Sequence, residues 1–204
     1  MSGHAAVFVT FVRTIVFDNA TDRPAFPYRP VGAGFLPWVN LKTYPEKSEE
    51  TLSQSLAEFE GDGGAAGFDS LVKLVRHLNA IPDLMSTHCE SAWMRTAKQF
   101  TDELCENAVT DVIVIQLSNA KVTATPEDRA AQLANDLFAR NGIKDCDSVD
   151  FSAVVEVGPI QMLIDGQIGY GVRIRIEGFG EDRPTAINSW TKAVRGACLV
   201  LHVD

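Results

Sequence analysis

Residues 148–180 read SVDFSAVVEVGPIQMLIDGQIGYGVRIRIEGFG, and this segment carries the strongest structural signal in the 204-residue chain. The pair Asp165-Gly166 lies between two runs rich in apolar residues, which is typical of a two-residue type I′ turn. The segment therefore predicts one long β-hairpin at about residues 149–179. Such a turn pairs Ile164 with Gln167, so the numbers of any two facing residues add up to 331.

This register matches side chains of the same kind across the two arms. Val155 faces Ile176 on one side of the hairpin, while Glu156 faces Arg175 on the other. Further apolar pairs are Val157 with Ile174 and Leu163 with Ile168. A slip by one residue would move every apolar residue to the opposite face and place Glu156 beside an isoleucine. We therefore predict both the faces and the register of the hairpin.

The end of the hairpin near the turn is apolar on both faces, and a charged band that includes Arg175 lies below it. A contiguous apolar surface is rarely left to water, so either the hairpin curls over its own helices or another chain covers it. The charged band is either a solvated face or a contact that sets the pairing between subunits. The candidate subunit-interface residues are Ile160, Met162, Leu163, Ile164, Ile168, Tyr170, Arg173, Arg175 and Glu177.

The rest of the chain predicts a single α+β domain over residues 1–204, with about five helices packed on a mixed, largely antiparallel sheet. Residues 5–17 and 109–118 are apolar at both odd and even positions, which is typical of covered central strands. Apolar spacing and capping residues predict helices at about 46–60, 68–80, 87–104, 125–141 and 184–196, so that residues 46–108 form a helical insertion. A short strand is predicted at 198–203. Consecutive hairpin arms argue against a doubly wound fold.

The composition favours a chain with one well-filled core, since 46% of its residues are hydrophobic and 22% are charged. A net charge of -9 argues against non-specific binding to nucleic acids or anionic membranes, which requires a dense basic surface. We find no apolar run of about 20 residues and no secretory signal pattern, so we expect a cytoplasmic origin and no membrane or specific nucleic-acid partner. The scattered cysteines, Cys89, Cys105, Cys146 and Cys198, are expected to be small buried hydrophobes.

No group of residues in the sequence forms a recognisable catalytic or metal-binding pattern. The glycine-rich segment 61–67 precedes a helix, but it lacks Gly-Lys-Ser/Thr and Asp62 would repel a phosphate, so it is interpreted as a flexible connector. Cys89 and Cys105 are more than four turns apart on the predicted third helix, so they cannot bind one small ion together with His88. The sequence therefore predicts no catalytic residue, no metal and no cofactor.

Residues 169–194, GYGVRIRIEGFGEDRPTAINSWTKAV, resemble a segment of bacteriophage tail-terminator and neck proteins. In that family a long strand leads through a short turn into a helix. The resemblance implies a small α+β subunit that forms a ring, typically a hexamer, at the end of the tail tube. The implied partners are further copies of the chain, the tail tube and the neck or connector proteins. The implied location is the virion, after assembly in the host cytoplasm.

Three classes of function stay open at this point. A structural virion subunit is the leading hypothesis because the hairpin end is apolar on both faces and no catalytic motif is present. A small cytosolic enzyme with its site in the loop 18–44 would instead have a deep polar pocket with shifted pKa values in that loop. An adaptor for a single protein partner would expose an apolar patch without rotational self-complementarity.

Overall fold

The computed structural model of the protein describes residues 9–10, 25–26, 41–42, 44–50, 52–53, 64–97, 104–118, 121–138, 151–162 and 168–203. These residues form an α+β structure with one main sheet, as the sequence predicts. The described part of the chain contains four α-helices instead of about five.

The sheet is mixed and largely antiparallel. Its seven strands are β1 (Val9–Thr10), β2 (Ala25–Phe26), β3 (Leu84–Ala97), β4 (Leu104–Ser118), β5 (Lys121–Val122), β6 (Phe151–Met162) and β7 (Ile168–Gly180). The order is β1-β6-β7-β4-β3, while β2 also pairs with β6 and β5 with β4. The four long strands pair antiparallel with one another, and the two-residue strands β1 and β2 run parallel to β6. Only residues 9–10 of the predicted strand 5–17 are described. They form β1, which lies first in the strand order of the described residues and not in the expected central position.

Three long helices accompany the sheet: α1 (Ala65–Ala80), α2 (Glu127–Phe138) and α3 (Arg183–Val200). A 3-10 turn at Pro45–Lys47 leads into a shorter helical segment at 48–50 and 52–53. Helix α3 begins where the sequence predicts, because the Asp182 carboxylate accepts a hydrogen bond from the Thr185 N–H at 2.9 Å and Pro184 lies in the first turn. The predictions for α1 and α2 are confirmed to within a few residues.

The predicted third helix at 87–104, and with it the helical insertion 46–108, is wrong. Leu84–Ala97 is strand β3, which pairs with β4 along its whole length. A β-bulge between His88 and Glu90 changes the parity of the strand, since His88 pairs with Val112 but Ser91 pairs with Thr110. No single alternation therefore runs through the segment, and the long-range ladder overrides the local helical signals.

The predicted strand at 198–203 is also wrong, because α3 continues to Val200 and the chain then turns. The Leu201 N–H donates to the Ala197 carbonyl at 3.0 Å, which extends the helical bonding pattern beyond the expected end at Gly196. Gly196 is buried within the helix. It therefore acts as a small packing residue in α3 and does not end the helix.

The hairpin of β6 and β7 exists, but its register differs from the predicted one by two residues. Glu156 faces Arg173 and not Arg175, and Val155 faces Ile174 and not Ile176, so facing numbers add up to 329. Gln161, and not Leu163, faces Ile168. A shift of two keeps every residue on its predicted face, which is why the alternation could not distinguish the two registers. The turn pair Asp165-Gly166 lies outside the described residues.

The helices pack on one face of the sheet, which we call the helix face. Ile174 and Ile176 of β7 are fully buried there, together with Trp190 of α3. A Cβ atom on Gly178 would overlap the backbone nitrogen of Trp190, so the missing side chain lets α3 lie directly on β7. The Trp190 indole donates to the Thr110 hydroxyl of β4 at 3.1 Å, which satisfies its one polar atom in the core.

Strand β4 is buried on both faces, as its apolar pattern predicts. Val112 and Val114 belong to the core under the helices, while Ile113 and Ile115 are buried on the opposite face. The strand also lies mid-sheet, between β7 and β3, as predicted. Cys105 and Cys198 are buried, as expected for two of the four cysteines.

Candidate functional site

A row of charged residues crosses three strands on the sheet face opposite the helices. Arg173 and Arg175 alternate with the core residues of β7, so they point away from the helix face. Glu156 of β6 lies directly opposite Arg173, and Asp111 of β4 lies directly opposite Arg175. Glu177 is the next residue of β7 on the same side. We call these five residues the charged row.

Each arginine of the charged row lies beside carboxylates, but the two are bonded differently. The Arg173 Nε donates to Glu156 Oε2 at 2.8 Å. The Arg175 Nε lies between two carboxylates, 3.6 Å from Asp111 Oδ1 and 3.7 Å from Glu177 Oε1. These two distances give Coulomb attraction without a hydrogen bond of normal length. The row thus contains one well-formed pair, Arg173 with Glu156, and one looser triad, Arg175 with Asp111 and Glu177.

The acidic side chains of the row are more buried than the basic ones. Asp111 and Glu156 are 14% and 15% exposed, whereas Arg175 and Arg173 are 33% and 36% exposed. Burial raises the pKa of Asp111 above its usual value, while the positive charges of Arg175 and Arg173 oppose that rise. The guanidinium groups therefore compensate only part of the cost of burying this carboxylate.

Asn107 of β4 lies beside the charged row, at the base of the hairpin. It is 2% exposed, and its Nδ2 donates to Glu177 Oε1 at 3.2 Å. Asn107 Oδ1, Asp111 Oδ1 and Arg175 Nε have no hydrogen-bond partner in the described part of the chain. Buried polar atoms are normally paired, so this incomplete bonding marks the looser triad as the least stable part of the row.

The charged row contains the predicted band of Arg173, Arg175, Glu177 and Glu156. Sequence reasoning missed Asp111 and Asn107, because they belong to another strand. Asp111 did leave a signal, since it is the one charged residue within the otherwise mostly apolar stretch 109–118. A charge in a strand that is covered on both faces requires a partner, and the adjacent β7 supplies it.

The apolar end of the predicted interface is described only in part. Leu163 and Ile164 lie outside the described residues, and Ile160, Met162 and Ile168 are placed by their strand positions alone. Tyr170 is half-buried, and its N–H donates to the Thr125 carbonyl at 2.8 Å. At this position the hairpin therefore lies against the segment of its own chain that precedes α2. Contact of the remaining residues with another subunit stays a prediction.

The described residues contain no group of three or more His, Cys, Asp or Glu side chains that could hold a metal ion. The charged row itself consists of carboxylates that are neutralised by guanidinium groups. Such a row can align strands or pair with charges of another chain. None of the helices in the described ranges is long and apolar enough to cross a membrane.

No protein-family model, curated protein or solved structure matches this chain.

Proposed function

We propose that the chain is a non-enzymatic structural subunit that forms an oligomeric ring in a bacteriophage tail or neck. In this role it caps the tail tube and joins it to the head-side connector, as a tail terminator does. The observation that carries the proposal is the unit made by strand β7, the two-residue bend at Glu181-Asp182 and helix α3. This unit corresponds to the strand, short turn and helix of the segment that resembles tail-terminator and neck proteins.

The packing of this unit suits a rigid assembly part. Strand β7 is paired on both edges, with β6 and β4, and α3 lies directly on it at Gly178 and Gly180. Backbone contact of this kind leaves little room for the helix to move on the sheet. The hairpin is thus anchored to α3 at its base.

The hairpin supplies the surface that we assign to subunit contact. Its arms contain 12 and 13 residues, which corresponds to a length of about 40 Å. In the ring, the apolar end at Ile160, Met162, Leu163, Ile164 and Ile168 contacts the neighbouring subunit. The side chains of Arg173 and Arg175 are 36% and 33% exposed, so they can pair with acceptors of the neighbour or face the lumen.

Light scattering on the purified full chain, followed by negative-stain electron microscopy, tests the proposal. We expect rings of uniform size, either of the chain alone or on tail tubes of the cognate phage. The variant Met162→Glu should weaken ring formation because it places a charge in the apolar end. The matched control is Ala65→Glu, which adds the same charge at an exposed position in the first turn of α1.

A chain that stays strictly monomeric at high concentration and does not bind tail tubes contradicts the proposal. If Met162→Glu forms rings that are as stable as those of the wild type, the hairpin end is not part of the subunit contact.

A further inference from the structure

Besides Arg183 at the start of α3, four exposed cationic side chains lie on α1 and on the C-terminal half of α3. Lys73 and Arg76 lie one turn apart on α1, and Lys192 and Arg195 lie one turn apart on α3. None of the four makes an ion pair with a described residue. Helix α3 contains no acidic residue, and Asp69 is the one acid in α1. In a chain with a net charge of -9, this is a local surface of opposite sign.

The two pairs of cations belong to one continuous surface because α1 and α3 pack side by side. A Cβ atom on Gly67 of α1 would overlap the Trp190 side chain of α3. One turn further along α1, the Cys198 thiol donates to the Ser70 carbonyl at 3.3 Å. Burial raises the pKa of Cys198 to about 11, and the positive charge of Lys73 opposes this rise, so Lys73 lies near the same turn of α3.

An exposed apolar residue lies within this surface. Leu199 is 71% exposed and follows Arg195 by one helical turn, so both lie on the same side of α3. We call Lys73, Arg76, Lys192, Arg195 and Leu199 the basic stripe. An apolar residue surrounded by charges has the composition of a small protein–protein contact, with an apolar centre and a polar rim.

A second surface has the complementary composition. Tyr44 is 52% exposed, and it and Leu199 are the two large hydrophobic residues that are exposed in the described part of the chain. The residues after Tyr44 include three exposed acids, Glu46, Glu49 and Glu50. Glu50 pairs with Lys47 at 2.8 Å, while Glu46 and Glu49 make no ion pair with a described residue. We call residues 44–50 the acidic segment.

We infer that the basic stripe of one copy docks on the acidic segment of a second copy of this chain. Leu199 then contacts Tyr44, and the lysines and arginines pair with Glu46 and Glu49. Formed head-to-tail, such a contact repeats and closes a ring or extends a filament. This inference rests on the proposed assembly function, to which it adds a second contact besides the hairpin end.

Charge and chemistry favour a second copy over a nucleic acid as the partner. Nucleic-acid binders typically neutralise about six to ten phosphates with lysine and arginine, and the stripe has four cations on an acidic chain. An exposed leucine has no use in a phosphate contact, but it fits against a tyrosine ring.

Sedimentation velocity of the full chain over a concentration series tests the inference. Charge reversal of the stripe, Lys192→Glu with Arg195→Glu, and of the segment, Glu46→Lys with Glu49→Lys, should each weaken self-association by about 10-fold or more. A 1:1 mixture of the two reversed proteins should restore it, because each then offers the charge that the other lacks. Arg129→Glu changes an exposed arginine of α2 outside both surfaces and should have no effect. Circular dichroism verifies that each variant is folded, and Leu199→Ser provides a second variant that leaves the charges intact.

Several results would overturn the inference. Reversed variants that associate like the wild type, or a mixture that does not restore association, would show that the two surfaces do not meet. Binding of duplex DNA that the stripe reversal abolishes, with unchanged self-association, would assign the stripe to a different partner. If reversal has no effect while Met162→Glu disrupts the rings, the proposed function stands without this contact. A wild-type chain that never associates, alone or on tail tubes, overturns both.

Discussion

Replacement of Arg175 by glutamine is the sharpest test of the charged row. Arg175→Gln removes the cation nearest to Asp111 while keeping a polar side chain of similar length. At 3.6 Å and an effective dielectric constant of about 20, the attraction between Arg175 and Asp111 is about 5 kcal/mol before solvent screening. Arg175 is 33% exposed and shared with Glu177, so we expect a net loss of only about 1–3 kcal/mol at pH 7. For a chain of this length that corresponds to a decrease in Tm of about 2–12 °C.

The dependence on pH separates this effect from simple loss of packing. The pKa of Asp111 is already raised by burial, and removal of Arg175 raises it further. A carboxyl group with a raised pKa in the folded state favours folding below its unfolded-state pKa, and this contribution is lost as the pH rises through the folded-state pKa. The deficit of Arg175→Gln relative to the wild type should therefore be largest at neutral pH. It should shrink as the pH falls through the folded-state pKa of Asp111 towards the ordinary aspartate pKa of 3.8.

Urea unfolding at several pH values, followed by circular dichroism, measures both quantities. The double variant Asp111→Asn with Arg175→Gln should recover most of the lost stability, because the uncompensated carboxylate is gone. Arg129→Gln is the control for loss of an exposed arginine and should change stability by less than about 0.5 kcal/mol. The reasoning is refuted if Arg175→Gln is as stable as the wild type at pH 7, or if its deficit is the same with asparagine at position 111.

Two further variants test how the helices are attached to the sheet. Asn79 donates to the Ser86 carbonyl at 2.8 Å and accepts from the Ser86 N–H at 3.0 Å, so Asn79→Ala should cost about 2–5 kcal/mol in urea unfolding by leaving both groups unpaired; a cost below about 1 kcal/mol would show that they find other partners. Gly178→Ala should cost about 3 kcal/mol or more in the same assay, because its Cβ would overlap the backbone of Trp190. Gly158→Ala is the matched control, since a Cβ there meets nothing within 4 Å, and equal costs for the two glycines would rule out the overlap as the cause.

Much of the fold follows from signals carried by short segments. The alternation in 151–157 and 172–177 is sufficient to predict two strands and the face of each residue, because side chains alternate along any strand whatever its partner. The start of α3 is likewise local, since Asp182 caps a helix whose first amides lie within three residues of it. The covered character of β4 is also visible in its own sequence as apolar residues at both odd and even positions.

Other features depend on residues that are distant in the chain. The partner of Arg175 is Asp111, which comes from a different strand, so the hairpin alone could not show which acid faces which base. The register was predicted two residues away from the observed one because both registers keep every residue on the same face, so the alternation of side chains does not separate them. The segment of strand β3 predicts a helix by its capping residues and apolar spacing, whereas its pairing with β4 is a long-range contact that these local signals do not contain.

Of the surfaces on which the two proposals rest, one follows from local sequence and the other from long-range packing. The apolar end of the hairpin is a property of one continuous segment, and its residues can be chosen from the sequence alone. The basic stripe exists because α1 and α3, more than a hundred residues apart, pack side by side on the helix face. Local sequence thus sets which side chains alternate and where helices begin, because those interactions span only a few residues. The identity of each partner depends on packing between distant segments, and only the folded chain brings those segments into contact.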